Sequence, residues 1–268
     1  MALWEEQVLH YKSILTTKLI IQTIFVFAFL FPFQGIAQDV NVLLRKADHL
    51  EDLKKENDAY KTYLEILKIY PNHLPALCKG SELCSVIGNR QAEKSSKLTY
   101  FREARRYAET ALRINPAYPD ANFVMAMAMG RMALVLSGRE KVAAVNDIKK
   151  YAELAIRYDA KNFKAYHVLG KWHFEVSSLS SIERIAVKVL FGGMPSSSFN
   201  ESIKFYEKSC SLKPDFILNY LEIAKAYHKN DQDGKAIEVL KRLQNIPVKM
   251  ADDPRIKKEG YELMKKLQ

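Results

Sequence analysis

This chain of 268 residues is short of the patterns that carry chemistry. It contains no HExxH, CxxC, GxSxG or phosphate-loop motif, so the usual sequence support for a metalloprotease, a dithiol redox enzyme, a serine hydrolase or a nucleotide enzyme is missing. Gly192-Gly193 runs into Met194-Pro195 rather than into a Lys and a helix start, and reads as a turn. Its three cysteines, Cys78, Cys84 and Cys210, are too few and too scattered for a disulfide framework. Cys78 and Cys84 share one helix about 9 Å apart along its axis, beyond disulfide reach. His167 and His173 fall on different faces of one helix and cannot share a metal. Acidic pairs such as Glu51-Asp52 and Asp252-Asp253 sit at helix ends or termini, where they suit solvent or the helix dipole. No catalytic residue, metal or cofactor is expected. With 10 Gly, 9 Pro and no useful run of apolar/polar alternation, a sheet protein and a long disordered chain are both excluded.

What the chain does have is helix. It is 48% apolar and 27% charged, ample for one continuous core. Apolar periodicity predicts helix pairs over 39–54 and 57–70, 74–88 and 96–114, and 120–136 and 140–158, two further pairs up to residue 243, and a terminal helix over 251–267. Pro71, Pro116, Ala160 and Pro214 each follow a helical run and open a turn, as suits a residue that cannot continue a helix. Ten residues beyond each stand Ser81, Ala126, Gly170 and Ala224. All four are small, as two antiparallel helices in near contact require. Gly170 in mid-helix costs about 1 kcal/mol against Ala, so it marks a place where another backbone comes close.

Small and aromatic residues before the Pro, with a small residue in the next helix, resemble the tetratricopeptide repeat, whose usual period is about 34 residues. Here the anchors are farther apart, and the extra residues fall mostly between the two helices of a unit, at 89–98, 137–146 and 177–200. The expected fold is therefore all-α: a tetratricopeptide-repeat-like right-handed helical solenoid with elongated repeats. The elongation carries a second resemblance. Trp172-His173-Phe174-Glu175-Val176, Leu179-Ser180, the turn Phe191-Gly192-Gly193-Met194-Pro195, Asn200-Glu201-Ser202-Ile203 and the late Asp252-Asp253 are together similar to the regulator of microtubule dynamics family. That resemblance covers about Ala104 to Gln268. It implies a repeat scaffold; animal members are associated with microtubules, and a membrane-anchored one with lipid handling between organelles.

The 15-residue apolar run Leu19–Phe33, followed by Gly35-Ile36-Ala37, has the length of a signal-peptide core and is short for a membrane span of about 20 residues. Residues 1–37 are thus expected to form a signal peptide cleaved before Gln38, with 38–268 a single solenoid domain; an uncleaved anchor at 19–33 is the alternative. Either places the repeats outside the cytoplasm, periplasmic or envelope-associated, if the host is bacterial. The net charge of +10 can attract acidic peptides, anionic lipid or nucleic acid, and export disfavours the last. Positions facing the concave side of such a stack give Asp120, Phe123 and Met127, then Lys164, His167, Lys171 and Phe174, then Leu218, Leu221, Lys225 and His228. The expected ligand groove is therefore Lys164, His167, Lys171, Phe174, Lys225 and His228, apolar patches beside cations; the competing reading is a solvated Lys-rich surface. The function expected is a non-enzymatic exported scaffold gripping a protein or peptide, acidic in character, with anionic lipid a further partner. A carrier of phospholipid or another apolar ligand is the alternative.

Overall fold

The computed structural model of the chain describes residues 40–268, so the predicted signal segment and its apolar run lie outside the described residues. Twelve helices run through the described part. They are α1 (40–52), α2 (Glu56–Ile69), α3 (Leu74–Asn89), α4 (Lys94–Ile114), α5 (Pro119–Ala133), α6 (Gly138–Tyr158), α7 (Phe163–Ser177), α8 (Ser181–Phe191), α9 (Phe199–Leu212), α10 (Ile217–Lys229), α11 (Asp233–Asn245) and α12 (Asp253–Leu267). Antiparallel pairs α3/α4, α5/α6, α7/α9 and α10/α11 stack in order behind α1/α2, and α12 covers the last pair. First helices meet first helices (α3 with α5, α5 with α7, α7 with α10), giving the inner layer of a right-handed solenoid. Among the described residues no helix is long and apolar enough to cross a membrane.

The starts are chemically marked. Proline enters the first turn of α3, α5 and α12, where the missing N–H would be unpaired anyway. Asn162 caps α7 by accepting from the Ala165 N–H at 3.0 Å. Pro71, Pro116 and Pro214 all lie in the turns between units, and the Pro116 and Pro214 carbonyls accept from Asn122 and Tyr220 of the following helix.

Ser81, Ala126, Gly170 and Ala224 are all buried. Opposite them the second helices present small faces, Ala104, Ala108 and Ala111 in α4 and Ala144, Ala152 and Ala155 in α6, all buried. Polar members of this seam are satisfied across it. The Ser81 hydroxyl donates to the Ala104 carbonyl (2.7 Å), and Ser202 donates to that of Gly170 (2.8 Å).

The extra residues differ from the expected loops in a definite way. In the second and third units they lengthen the second helices, α4 and α6, to 21 residues each. In the fourth unit they form a helix, α8, where a loop with a turn was expected. Ser180 and Glu183 close a capping box at its start, and Gly192, at φ 83°, ends it in the left-handed conformation that glycine tolerates.

The two ends of the stack also meet. Arg90, at the end of α3, donates to Glu56 at the start of α2, and its other nitrogen donates to Asp252 just before α12 (2.9 Å). The solenoid is thus curled enough for the start of α2 and the approach to α12 to share one arginine.

Candidate functional site: the inner groove

The expected groove residues all lie on α7 and α10, first helices of adjacent pairs, and the structure adds what the sequence reading lacked, their partners. Lys164 of α7 pairs with Glu82 of α3 and lies over the Phe123 ring of α5 (5.3 Å to its centre), spanning three successive units. Lys79, beside Glu82, pairs with Glu51 of α1 (2.8 Å). Farther along, Lys171 reaches Glu222 of α10 at 2.6 Å and Glu175 at 3.0 Å. Lys225 holds the other oxygen of Glu222 at 3.1 Å and Glu259 of α12 at 2.7 Å. His228 lies 2.6 Å from Asp233 at the rim. Phe174 packs edge-on against Phe199 (5.8 Å) beneath the Lys171 ammonium. The groove is therefore a ladder of alternating charge.

Glu222 is the centre of this ladder. Only 8% of its side chain is exposed, and burial alone would raise its carboxyl; Lys171 and Lys225 outweigh that and hold it below the ordinary carboxylate value. Glu82 behaves alike between Lys164 and Lys79. Asp120, also on this face, goes the other way: burial raises it, and Glu82 adds to the rise against Lys164.

His167 is half-buried, with its ring 5.4 Å from that of Tyr206 and 5.1 Å from that of Phe216. Its Nδ1 sits 2.8 Å from the Asn219 oxygen, while the Asn219 amide donates to the Tyr206 carbonyl. That arrangement requires an Nδ1–H on the histidine. Burial pushes His167 below its ordinary value, so it is a neutral donor that fixes α10 against α7. His173, on the other face, is buried and stacked on Phe205 (5.3 Å).

Of the expected α10 residues, Leu221 is core and not groove, and Leu218 is half-buried against the same cluster. Asn219 and Glu222, one step round the helix, face α7 instead. Arg131 of α5 was also missed. Its Nη1 bonds Asn89 (3.3 Å), its buried Nε has no partner, and burial lowers its basicity. Nothing in its sequence surroundings marks it, since it follows Gly130 inside an apolar run.

The cysteines add no chemistry. Burial pushes the Cys84 thiol up to about 12 and raises Cys78 and Cys210 too, so none is an activated thiolate. No group of three His, Cys, Asp or Glu able to hold a metal occurs among the described residues.

Stacked helix pairs, a small-residue seam and a charged inner face define a tetratricopeptide-type helical-repeat protein. Two solved structures agree with that class. A thermophilic tetratricopeptide-repeat protein of Thermus thermophilus is 15% identical with a TM-score of 0.60, over 83% of this chain and 99% of that one. PilW, described as a widely conserved type IV pilus biogenesis factor, is 17% identical with a TM-score of 0.52, over 86% and 90%. At such identities they show the fold alone. The family profile described as regulator of microtubule dynamics protein 1-3 matches residues 43–268, and the chain belongs to that family. Curated relatives include regulator of microtubule dynamics protein 1 of Bos taurus, 24% identical over 85% of this chain and 72% of its own. Regulator of microtubule dynamics protein 3 of Xenopus laevis is 23% identical over 79% of this chain and 46% of its own.

Proposed function

We propose that the protein is a non-enzymatic scaffold that holds a segment of a partner polypeptide along its inner groove, and that it does so outside the cytoplasm after removal of residues 1–37. The observation that carries this is the inner ladder itself. Charged side chains from α1, α3, α7, α10 and α12 pair with one another across successive units, and the inner layer of a repeat solenoid is where binding residues are presented. The names of the animal relatives speak of microtubule dynamics, and a polypeptide partner is the part of that description which this geometry supports.

Because each groove lysine already faces a carboxylate, the partner that fits carries both signs of charge rather than acid alone. A mixed-charge segment exchanges ion pairs with the ladder; a purely acidic one must compete with Glu82 and Glu222 for Lys164, Lys171 and Lys225. The carrier reading finds no support here. Its apolar ligand needs an enclosed apolar chamber, whereas the groove is ionic and the recesses beside Gly192–Pro195 and at Pro214 and Pro247 open to solvent.

A photo-crosslinking side chain placed at Met127, half-buried on the groove face of α5, tests the reading. A discrete polypeptide adduct from Met127, and none from the same probe at Lys150 on the outer layer, is the expected outcome. Equal labelling from both positions would sink the groove assignment. Export is tested separately, by sequencing the mature N-terminus: a start at or near Gln38 is expected, and recovery of intact Met1 or Ala2 in the membrane fraction favours an anchor.

A further inference from the structure

α8 is inside out. An amphipathic helix in a soluble protein normally turns its apolar stripe to the core, because packing supplies most of its stability. On α8 the apolar arc is Ile182, Ile185, Ala186, Val189 and Leu190, and all five are exposed, with Ile182 at 80% and Val189 at 76%. No residue of this helix is buried. It is held by its own caps and by Arg184, whose guanidinium donates to the Ser177 carbonyl at 2.5 Å and the Leu179 carbonyl at 3.0 Å. Arg184, with the half-buried Val187 and Phe191, lies opposite the arc, so the anchoring fixes the apolar side outward.

The surroundings say what covers it. The arc is a contiguous run of exposed apolar side chains, and a patch of that kind marks an interaction site. A second copy offers no matching apolar groove, since the inner face is an ionic ladder. The flanks are basic. Lys188 lies on one side of the arc; on the other, Glu183 is engaged in the capping box, where the Ser180 hydrogen bonds hold its carboxyl below the ordinary value and Lys141 at the start of α6 adds a smaller share. Lys149 and Lys150 line the recess beside Gly192–Pro195 at the helix end; Lys149 is paired there with Glu153, and Lys150 is exposed. An apolar stripe with cationic flanks is the chemistry of a helix lying in the interface of an anionic bilayer.

We propose that α8 docks the solenoid on a membrane surface bearing anionic headgroups, its apolar arc seated shallowly among the acyl-chain ends and its lysines among the headgroups. Since α8 sits beside α6 of the outer layer, docking leaves the inner groove free, and this inference is independent of what the groove holds.

Hydrogen exchange of the full chain, read segment by segment, tests it with vesicles of phosphatidylcholine alone and of phosphatidylcholine with phosphatidylglycerol. Residues 181–191 are expected to exchange on the order of tenfold more slowly on the anionic vesicles than in buffer, and little more slowly on the neutral ones. The double variant Ile185→Asp with Val189→Asp removes the slowing while far-ultraviolet circular dichroism stays unchanged, because both side chains are exposed. Lys141→Glu with Lys188→Glu also removes it, with the apolar arc intact. Unchanged exchange on anionic vesicles overturns the proposal, and so does equal slowing on both vesicle types. Slowing that appears without lipid and grows with protein concentration overturns it in favour of a second copy.

Discussion

Adding a single methyl group at Gly170 tests how α7 and α9 cross. A Cβ built there stands 2.7 Å from Cδ1 of Tyr206 and 2.8 Å from Cγ and Cε1, against the roughly 3.5–4.0 Å at which carbon atoms rest. The Tyr206 ring has no slack. It is 0% exposed, lies beside His167, and sits where Ser202 ties α9 to the Gly170 carbonyl. Overpacking of this kind costs about 1–3 kcal/mol, and contact with three ring atoms puts Gly170→Ala near about 3 kcal/mol. The better helix propensity of Ala returns about 1 kcal/mol. The net expectation is a loss of about 2 kcal/mol, and more for Gly170→Leu.

Gly130→Ala supplies the control. Gly130 is also in the interior of a first helix, but its Cβ would meet only the Ile148 Cδ1, at 3.9 Å. There the propensity gain stands nearly alone, and a stabilisation of up to about 1 kcal/mol is expected. Urea titrations followed by far-ultraviolet circular dichroism should therefore move the midpoint down for Gly170→Ala and up for Gly130→Ala. Tyr206→Leu in the Gly170→Ala background should recover part of the loss, since neighbouring sites couple. If the two alanine variants shift in the same direction, Gly170 does not face Tyr206, and the small-residue seam is misassigned.

Three further outcomes follow from buried polar groups. Tyr206→Phe should raise the midpoint, by about 1 kcal/mol, because the Tyr206 hydroxyl is buried with no partner and its removal deletes only a desolvation cost. Reversing Lys171 and Lys225 together to Glu should destabilise the fold by about 2 kcal/mol or more, since both counterions of buried Glu222 vanish; the figure lies below the cost of breaking a fully buried pair because Lys171 is 40% exposed. Unchanged stability of that variant would mean the ladder is not formed in solution. Stability should also fall in two steps on acidification. His167 and His173 are held below their ordinary value of 6.5, so their contribution is complete above that pH and lost as pH drops beneath it. Glu82 and Glu222 are held below 4.5, so theirs is lost only below that. A melting temperature that rises between pH 7 and pH 5 would contradict the histidine assignment.

Much of the fold was legible because its determinants are local and repeated. The column Ser81, Ala126, Gly170 and Ala224 is set by how near two helices come, a constraint each unit meets separately and writes at the same position. α8 was hidden for the opposite reason. Its caps, Ser180 and Gly192, stand among Ser177-Ser178, Ser181 and Gly193-Met194-Pro195, a composition that signals a loop. Its apolar period was also too short to stand out from the flanking serines.

The groove shows where reading along the chain stops being enough. Lys164, Lys171 and Lys225 were legible as inward-facing cations from their spacing after each anchor. Glu222 stands one turn before Lys225 on α10 itself, but the other pairings cross between helices, over 51 residues for Lys171 and Glu222 and 82 for Lys164 and Glu82. Which carboxylate meets which lysine depends on the curl of the whole stack, and the curl is itself recorded in the Arg90–Asp252 pair that joins residues 162 apart. A lysine-rich inner face read from one helix looks like a trap for acids. Read across adjacent first helices it is a neutralised ladder, because a half-buried ammonium brought toward a neighbouring helix is stable only where that helix supplies a carboxylate. The net positive charge must then be carried elsewhere, and the surface around α6 and α8, where Lys141, Lys149, Lys150 and Lys188 outnumber Glu153 and Glu183, is one place where it accumulates.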